Sequence, residues 1–439
     1  MQSMRSYRFP PEDLERHQNR KFREIVRFAF DKVPYYHRAM REGGLNPSDF
    51  TTGNDVRMLP MLNKAILLAN PGEDFLARGV PVMLTRHTSG TTGPSVTFSR
   101  GPKTVQRSIT MKLRTMWLSG VRPWEKSVFL PYFGTDVSNV AQLSGVRARR
   151  AKGGLSVLLS RPRDLVIGYK VLPIGPGNVD AISGLLVGYK PNILHARPSY
   201  LRRIAKVVKE LEPSFGVDKI FSEGEMLTNG TRADLASTYG AEIFDSYGSS
   251  ECSGLGGECR WHNGIHLFPD YFIFELLARD GYPAAPGERA ELVVTSLEDD
   301  AMPLLRYRIG DFVISQEDGL CGCGSYFPRL ERIDGRASDG MLTSEGDPIL
   351  AGEVIEYIET HLGLRDFQLV QEGPSEMKLR ALRIPTETVL LQLRKYLSGL
   401  TKAEVSIRIE LWRSDEMPIK FRPVTRSGAK RVGERVKVN

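Results

Sequence analysis

Six consecutive small residues, Thr88, Ser89, Gly90, Thr91, Thr92 and Gly93, follow the apolar run VMLT. Together they have the chemistry of a phosphate cradle: glycines let backbone N–H groups approach an anion, and hydroxyls add donors without bulk. No lysine stands where a GxxxxGK[ST] loop requires one, which excludes that form of nucleotide loop. Four further strings follow in order: SEGE at 222–225, YGSSE at 247–251, YRIGD at 307–311 and DGRASDG at 334–340. Taken alone, Asp311 after Gly310 also reads as a turn-capping aspartate. The four cysteines, Cys252, Cys259, Cys321 and Cys323, all fall in one stretch. Cys259 with His262 forms a CxxH pair and Cys321 with Cys323 a CxC pair, offering three thiolates and one imidazole to a closed, structural zinc site. His266 and Cys252 are alternative ligands, and buried reduced thiols are the competing reading.

The ordered series of strings resembles the adenylate-forming superfamily and, within it, the phenylacetate-CoA ligase family of aryl-acid activating enzymes. The resemblance covers essentially the whole chain. It is closest from DSYGSSE through GIHLFPDYF, PGERAELVVTSL and AMPLLRYRIGD to Gly335 and Arg336. It implies an α/β protein: a large N-terminal mixed-sheet α/β domain over 1–335 and a small, mobile C-terminal α+β domain over 336–439. It implies that Thr88 to Gly93 grip the ATP phosphates, that Gly224 and Glu225 border the adenine, and that Tyr247, Gly248 and Ser249 line the same site. Glu251 would hold Mg2+, Asp311 would accept the ribose hydroxyls and Arg336 would contact the nucleotide. Each role suits its group: carboxylates accept hydroxyl protons, magnesium prefers hard oxygens, and guanidinium suits phosphate or ribose. Lys430, in SGAKRV, is the candidate for the family's lysine on the acyl carboxylate and α-phosphate. The family's lysine directly follows the glycine, whereas here Ala429 intervenes. Lys430, Glu251 and Thr92 are thus the expected catalytic groups.

Tyr132 and Phe133, in PYFGTDVSNV, fall where the family keeps part of its acyl wall and could stack on an aryl acid; core packing is the competing reading. Two departures from the family pattern stand out. The phosphate loop passes straight from Gly93 to Pro94, and the aspartate pair after the glycine-arginine string is replaced by Ser338 and Asp339. The implied reaction joins a carboxylic acid and ATP into an acyl-adenylate with release of pyrophosphate, after which CoA displaces AMP. Transfer to an amine or a carrier-protein thiol, and a non-catalytic nucleotide-binding homologue, remain alternatives. Some relatives also carry a structural Zn2+.

The elements that must position these residues are partly legible. Residues 11–42 read as helical, with Leu14, Phe22, Ile25, Val26 and Phe30 at helical spacing and a stop at Gly43 and Gly44. From about 80 to 330, runs such as KPNIL, IFELLA and ELVVT alternate with helical patterns such as SYLRRIAKVVKELEP, which predicts a mixed sheet with parallel strands. After Gly335 come two amphipathic helices, GEVIEYIETHLGL and TETVLLQLRKYLSGL, around two strands, FQLVQEG and EMKLRALRI.

Composition sets the outer limits. A chain of 439 residues, 41% hydrophobic and 26% charged, buries a real core and exceeds the usual size of a single one. No apolar run approaches a membrane span and the start has no apolar block, so the expectation is a cytoplasmic protein. The net charge of +8 is spread widely apart from RARR at 147–150 and a basic tail. That run reads as solvated surface before it reads as a CoA phosphate site. Small-molecule acid, ATP and CoA are the expected partners, without nucleic acid; a homodimer is an open alternative to a monomer.

Overall fold

The computed structural model describes residues 6–87, 94–131, 147–151, 154–158, 169–172, 174, 178–336, 339–365, 367–412 and 422–427. Two classical βαβ steps form its centre. Strand Ile193–Ala196 leads through helix Pro198–Leu211 to strand Lys219–Glu223, and helix Asn229–Tyr239 leads on to strand Glu242–Ser249; the strands are parallel. Helix Pro198–Leu211 forms because Leu201, Ile204 and Val208 recur on one face, and all three are fully buried against Leu194, Ile220 and Ile243 of the strands. Each such side chain contributes about 1.5–3 kcal/mol of burial. Helix Asn229–Tyr239 starts where the Thr228 hydroxyl accepts from the Thr231 N–H at 3.1 Å and stops at Gly240, whose φ of 64° suits glycine.

Two more parallel strands, Ser127–Phe129 and Tyr169–Val171, extend the sheet on one side, followed by the antiparallel Gly154–Leu158 and Arg147–Ala151. On the other side, Glu242–Ser249 turns back into Ser253–Glu258, and the sheet continues antiparallel through Ile265–Leu267, Arg329–Arg336, Tyr307–Ser315, Arg289–Ser296 and Phe272–Leu277. The mixed sheet is therefore one continuous surface of 13 strands among the described residues. A separate core lies beyond it. Helices Ala351–His361 and Glu387–Thr401 pack on a four-stranded sheet ordered Ser406–Leu411, Glu376–Ala381, Phe367–Gln371, Val424–Arg426.

The N-terminal helical stretch is two helices, Pro11–Lys32 and Pro34–Glu42. The break is chemical: Pro34 forces Val33 into extended backbone (φ −109°, ψ 112°) and donates no N–H. Leu14, Phe22, Ile25 and Val26 are buried as the spacing predicts, Phe30 is half-buried, and Ala29 is buried beside them. Among the described residues, no helix is long and apolar enough to cross a membrane.

Candidate active site at the nucleotide-type motifs

Asp311 and Arg336 sit directly opposite each other on neighbouring antiparallel strands, Tyr307–Ser315 and Arg329–Arg336. Gly310 and Gly335, the residues before them, have φ of 82° and 97°, and the ladder slips between Phe312 and Val313. A bulge built on left-handed glycines bends both strands at this point and re-aims the two side chains. The Arg336 Nε donates to Asp311 Oδ1 at 2.6 Å, and the Tyr247 hydroxyl donates to Asp311 Oδ2 at 2.7 Å. Asp311 and Tyr247 are buried. The Asp311 carboxylate holds the Arg336 pKa above its ordinary value, with Glu251 adding to it. Burial first, and Asp311 second, push the Tyr247 hydroxyl far above its usual range.

Glu251 lies in the turn between strands Glu242–Ser249 and Ser253–Glu258 and is buried. That turn is tightly specified. A Cβ at Gly248 would lie 2.4 Å from the Ser253 carbonyl oxygen, Ser253 itself has φ of 67°, and the Ser249 hydroxyl accepts from the Cys252 N–H at 3.0 Å. Two arginines hold it from outside. Arg100 Nη2 donates to the Ser250 carbonyl at 2.7 Å. Arg107, paired with buried Asp299 at 2.7 Å, donates to the Cys252 carbonyl at 3.3 Å. Arg100 ends strand Thr97–Arg100, which pairs with Leu84–His87 as a hairpin, and Phe98 of that strand meets Tyr307 edge-on at 6.2 Å. The hairpin is thereby anchored beside both the Glu251 turn and the Asp311 strand. Thr88, Ser89, Gly90, Thr91, Thr92 and Gly93 lie outside the described residues, as do Tyr132, Phe133, Ser338 and Lys430.

In SEGE, Gly224 has φ of 73° and follows the carboxyl end of its strand. The Glu225 carboxylate accepts from the Ser199 N–H at 3.0 Å and the Ser199 hydroxyl at 2.8 Å, closing the first turn of helix Pro198–Leu211.

Three of the four expected zinc ligands come together, and the fourth is exchanged. Ligand atoms of Cys259, His266, Cys321 and Cys323 all lie within 4.8 Å of one another. Cys259 Sγ is 3.8 Å from Cys321 Sγ, and Cys323 Sγ is 3.6 Å from His266 Nε2. A tetrahedral ion with Zn–S of about 2.3 Å separates its sulfurs by roughly 3.8 Å, so the set fits. His262 is not part of it. At φ of 48°, its ring stacks on Phe244, with Nε2 3.0 Å from Glu242 and Nδ1 3.3 Å from Glu258, whose hydrogen bond raises its pKa. His266 takes the place because it lies on strand Ile265–Leu267 opposite Gly257, next to Cys259. Cys252 is buried elsewhere, beside Arg107.

No family model matches the chain. The phenylacetate-coenzyme A ligase of Escherichia coli (strain K12) is 27% identical over 360 residues, covering 79% of this chain and 76% of its own length. That of Thermus thermophilus is 25% identical over 341 residues, covering 76% and 72%. The chain is similar to the phenylacetate-coenzyme A ligases over about three quarters of its length. Its fold agrees: the crystal structure of 2-hydroxyisobutyryl-CoA ligase in the postadenylation state superposes with a TM-score of 0.76 at 20% identity, over 97% of this chain and 92% of that one. The large mixed sheet with a small α+β unit is accordingly the fold of that ligase. Of the strings that carry the resemblance, YGSSE, YRIGD and DGRASDG bring Tyr247, Asp311 and Arg336 together, with Glu251 close enough to act on Arg336. The sequence reading missed Arg100 and Arg107, which hold that site from behind. Their signal is faint: Arg107 and Arg114 lie seven residues apart on one buried helix face, and Arg100 ends the strand before that helix.

Proposed function

We propose that the protein activates a carboxylic acid as its acyl-adenylate and transfers the acyl group to CoA. The observation that carries this reading is the buried Asp311 carboxylate, shared by Tyr247 and Arg336 at a glycine bulge, with buried Glu251 close enough to raise the Arg336 pKa. Asp311 is the acceptor for two ribose hydroxyls, held in place by its two donors, and Arg336 supplies positive charge at the nucleotide. Glu251 would hold Mg2+: it is a buried carboxylate to which no side chain is hydrogen-bonded among the described residues, and it supplies the hard oxygen that ion prefers. When bound, the ion supplies charge neutralisation beside pyrophosphate. Thr88 to Gly93 are assigned to the phosphates, Tyr132 and Phe133 to the acyl group, and Lys430 to the acyl carboxylate and α-phosphate. Cys259, His266, Cys321 and Cys323 are assigned to a structural Zn2+.

The chemistry requires alignment and charge placement more than a protein nucleophile. A carboxylate oxygen of the substrate attacks the α-phosphorus while the bond to the bridging oxygen breaks and pyrophosphate leaves. The CoA thiol then gives its proton to solvent as its sulfur attacks the acyl carbon, the acyl C–O bond to the phosphate breaks, and AMP departs with the bonding pair. The test is acid-dependent ATP–pyrophosphate exchange over a panel of aryl and alkyl acids, followed by CoA-dependent AMP release. Exchange is expected with at least one acid, and Asp311→Ala is expected to lower its kcat/KM about 100-fold through two lost charge-assisted bonds. Absence of exchange across the panel would overturn the proposal.

A further inference from the structure

The carboxyl-end edge of the parallel strands carries a second group of ionisable side chains that none of these assignments uses. Parallel register sets His195 between Phe129 and Phe221, and Glu223 beside Ser246, so these side chains share one face of the sheet. Helix Pro102–Leu118 covers that face. From it, Lys112 Nζ donates to Glu223 Oε1 at 3.1 Å and stands 4.2 Å above the Phe129 ring. His195 Nδ1 is 3.3 Å from the same carboxylate oxygen, and its ring stacks on Phe221 at 4.6 Å. His195 is buried, whereas Glu223 and Lys112 keep 28% and 35% of their side chains exposed. Burial pushes His195 down to about 4, so it is neutral at pH 7. Glu223 stays ionised, at about 2, because Lys112 and His195 outweigh its own burial.

A charged pair on a neutral histidine, approachable and standing at strand ends, is where ligands of doubly wound sheets bind. Along the chain it adjoins the site already described: Glu223 ends its strand immediately before Gly224 and Glu225. The exposed parts of the Lys112 ammonium and the Glu223 carboxylate are hydrated, since a donor and an acceptor of this kind bind water wherever they meet it. A hydrocarbon tail laid against this pair strips its water and returns no hydrogen bond, a cost in free energy. A hydroxyl or amino group restores the bonds.

We propose that Lys112, Glu223 and His195 form the acyl-selecting end of the ligase site and favour carboxylic acids that carry a hydroxyl or amino group away from the carboxylate. The inference rests on the ligase reading above. It is tested by pyrophosphate exchange with matched pairs: 4-hydroxyphenylacetate against phenylacetate, 4-aminobenzoate against benzoate, 6-hydroxyhexanoate against hexanoate. The polar member of at least one pair is expected to have a kcat/KM at least about 30-fold above its plain partner, because sites built to hydrogen-bond reject analogues lacking the group. In Glu223→Gln and Lys112→Met that ratio should fall to within about threefold of unity. A purely structural ion pair would lower the melting temperature of both variants and leave the ratio unmoved. Plain acids used equally well or better across all pairs, or an unchanged ratio in both folded variants, overturns the inference and leaves the ligase reading standing. No exchange with any acid overturns both. The wild-type panel decides the substrate class even where a variant does not fold.

Discussion

Asp311 has both carboxylate oxygens engaged, one by a phenol and one by a guanidinium, and neither donor is near it in sequence. The string YRIGD announces the aspartate, but only the bulged ladder shows what aims it. A few residues before Tyr247, Asp245 follows a different logic. Burial first, and the nearby Glu258 second, push its carboxyl up to about 8 against the opposing pull of Arg232. Between pH 4 and 8 the unfolded chain therefore releases a proton that the folded chain keeps, so stability falls as pH rises through that window and levels off above it. Asp245→Asn, which mimics the protonated form, should remove this slope. The variant should melt above the wild type at pH 8 and close to it at pH 4; parallel curves across the range would contradict the shift. Legibility at this scale divides by cause. Glu251, Asp311 and Arg336 could be found because their neighbours form recognisable strings. Lys112, Arg100 and Arg107 could not, because their partners are far away in sequence. His262 misled because spacing alone does not say that its backbone is left-handed while His266 lies on a strand.

Helix Pro102–Leu118 is the element that ties these sites together. Arg107 and Arg114, two turns apart, point into the protein, and Lys112 leaves by another face toward Glu223. Arg114 donates to both oxygens of Asp270 at 2.7 Å and to the Ser6 hydroxyl at 3.0 Å, and lies over the rings of Phe268, Tyr271 and Phe327. Both ions are fully buried, so removing one leaves the other uncompensated. Asp270→Ala should cost about 3–5 kcal/mol in urea unfolding; a loss under about 1 kcal/mol would place the pair in the class of surface bridges. The cysteine loops make a second element-scale test. The purified chain should contain about one zinc per molecule by metal analysis, and chelation or Cys321→Ser should lower the melting temperature without moving the pH dependence set by Asp245. Helices and parallel strands were legible here because apolar spacing marks them. The long antiparallel half was less so: Ser253–Glu258 is rich in glycine and Ile265–Leu267 is three residues long, so neither carries a period.

At the scale of the whole molecule, the smaller unit is joined to the large sheet by a mainly polar seam. Arg289 donates to Asp334 at 2.9 Å and to Glu353 at 3.2 Å. The Thr228 hydroxyl donates to Glu359, a carboxyl that burial holds above its ordinary pKa, with Arg202 and Arg365 near it. From the large unit, Met226 packs against the smaller unit's core. Polar seams of this kind permit relative motion more readily than apolar ones. One point in the seam is nevertheless close-packed. A Cβ on Gly352, in helix Ala351–His361, would lie 2.6 Å from the Asp334 carbonyl oxygen and 3.0 Å from its Cα, on the last strand of the large sheet. Both obstacles are backbone, so the helix or the strand must move. Elsewhere in the same unit, Gly399 of helix Glu387–Thr401 has no atom within 4 Å of its would-be Cβ. An alanine in mid-helix ordinarily gains about 0.5–1 kcal/mol over glycine. Gly399→Ala should show that gain, and Gly352→Ala should reverse it, losing about 1–3 kcal/mol through overpacking. Peptide-level hydrogen exchange should localise the loss, rising over 329–336 and 351–361 in Gly352→Ala and staying level in Gly399→Ala. If both variants gain stability, Gly352 is not the contact that fixes the distance between the two units, and the polar pairs alone set how the smaller one sits.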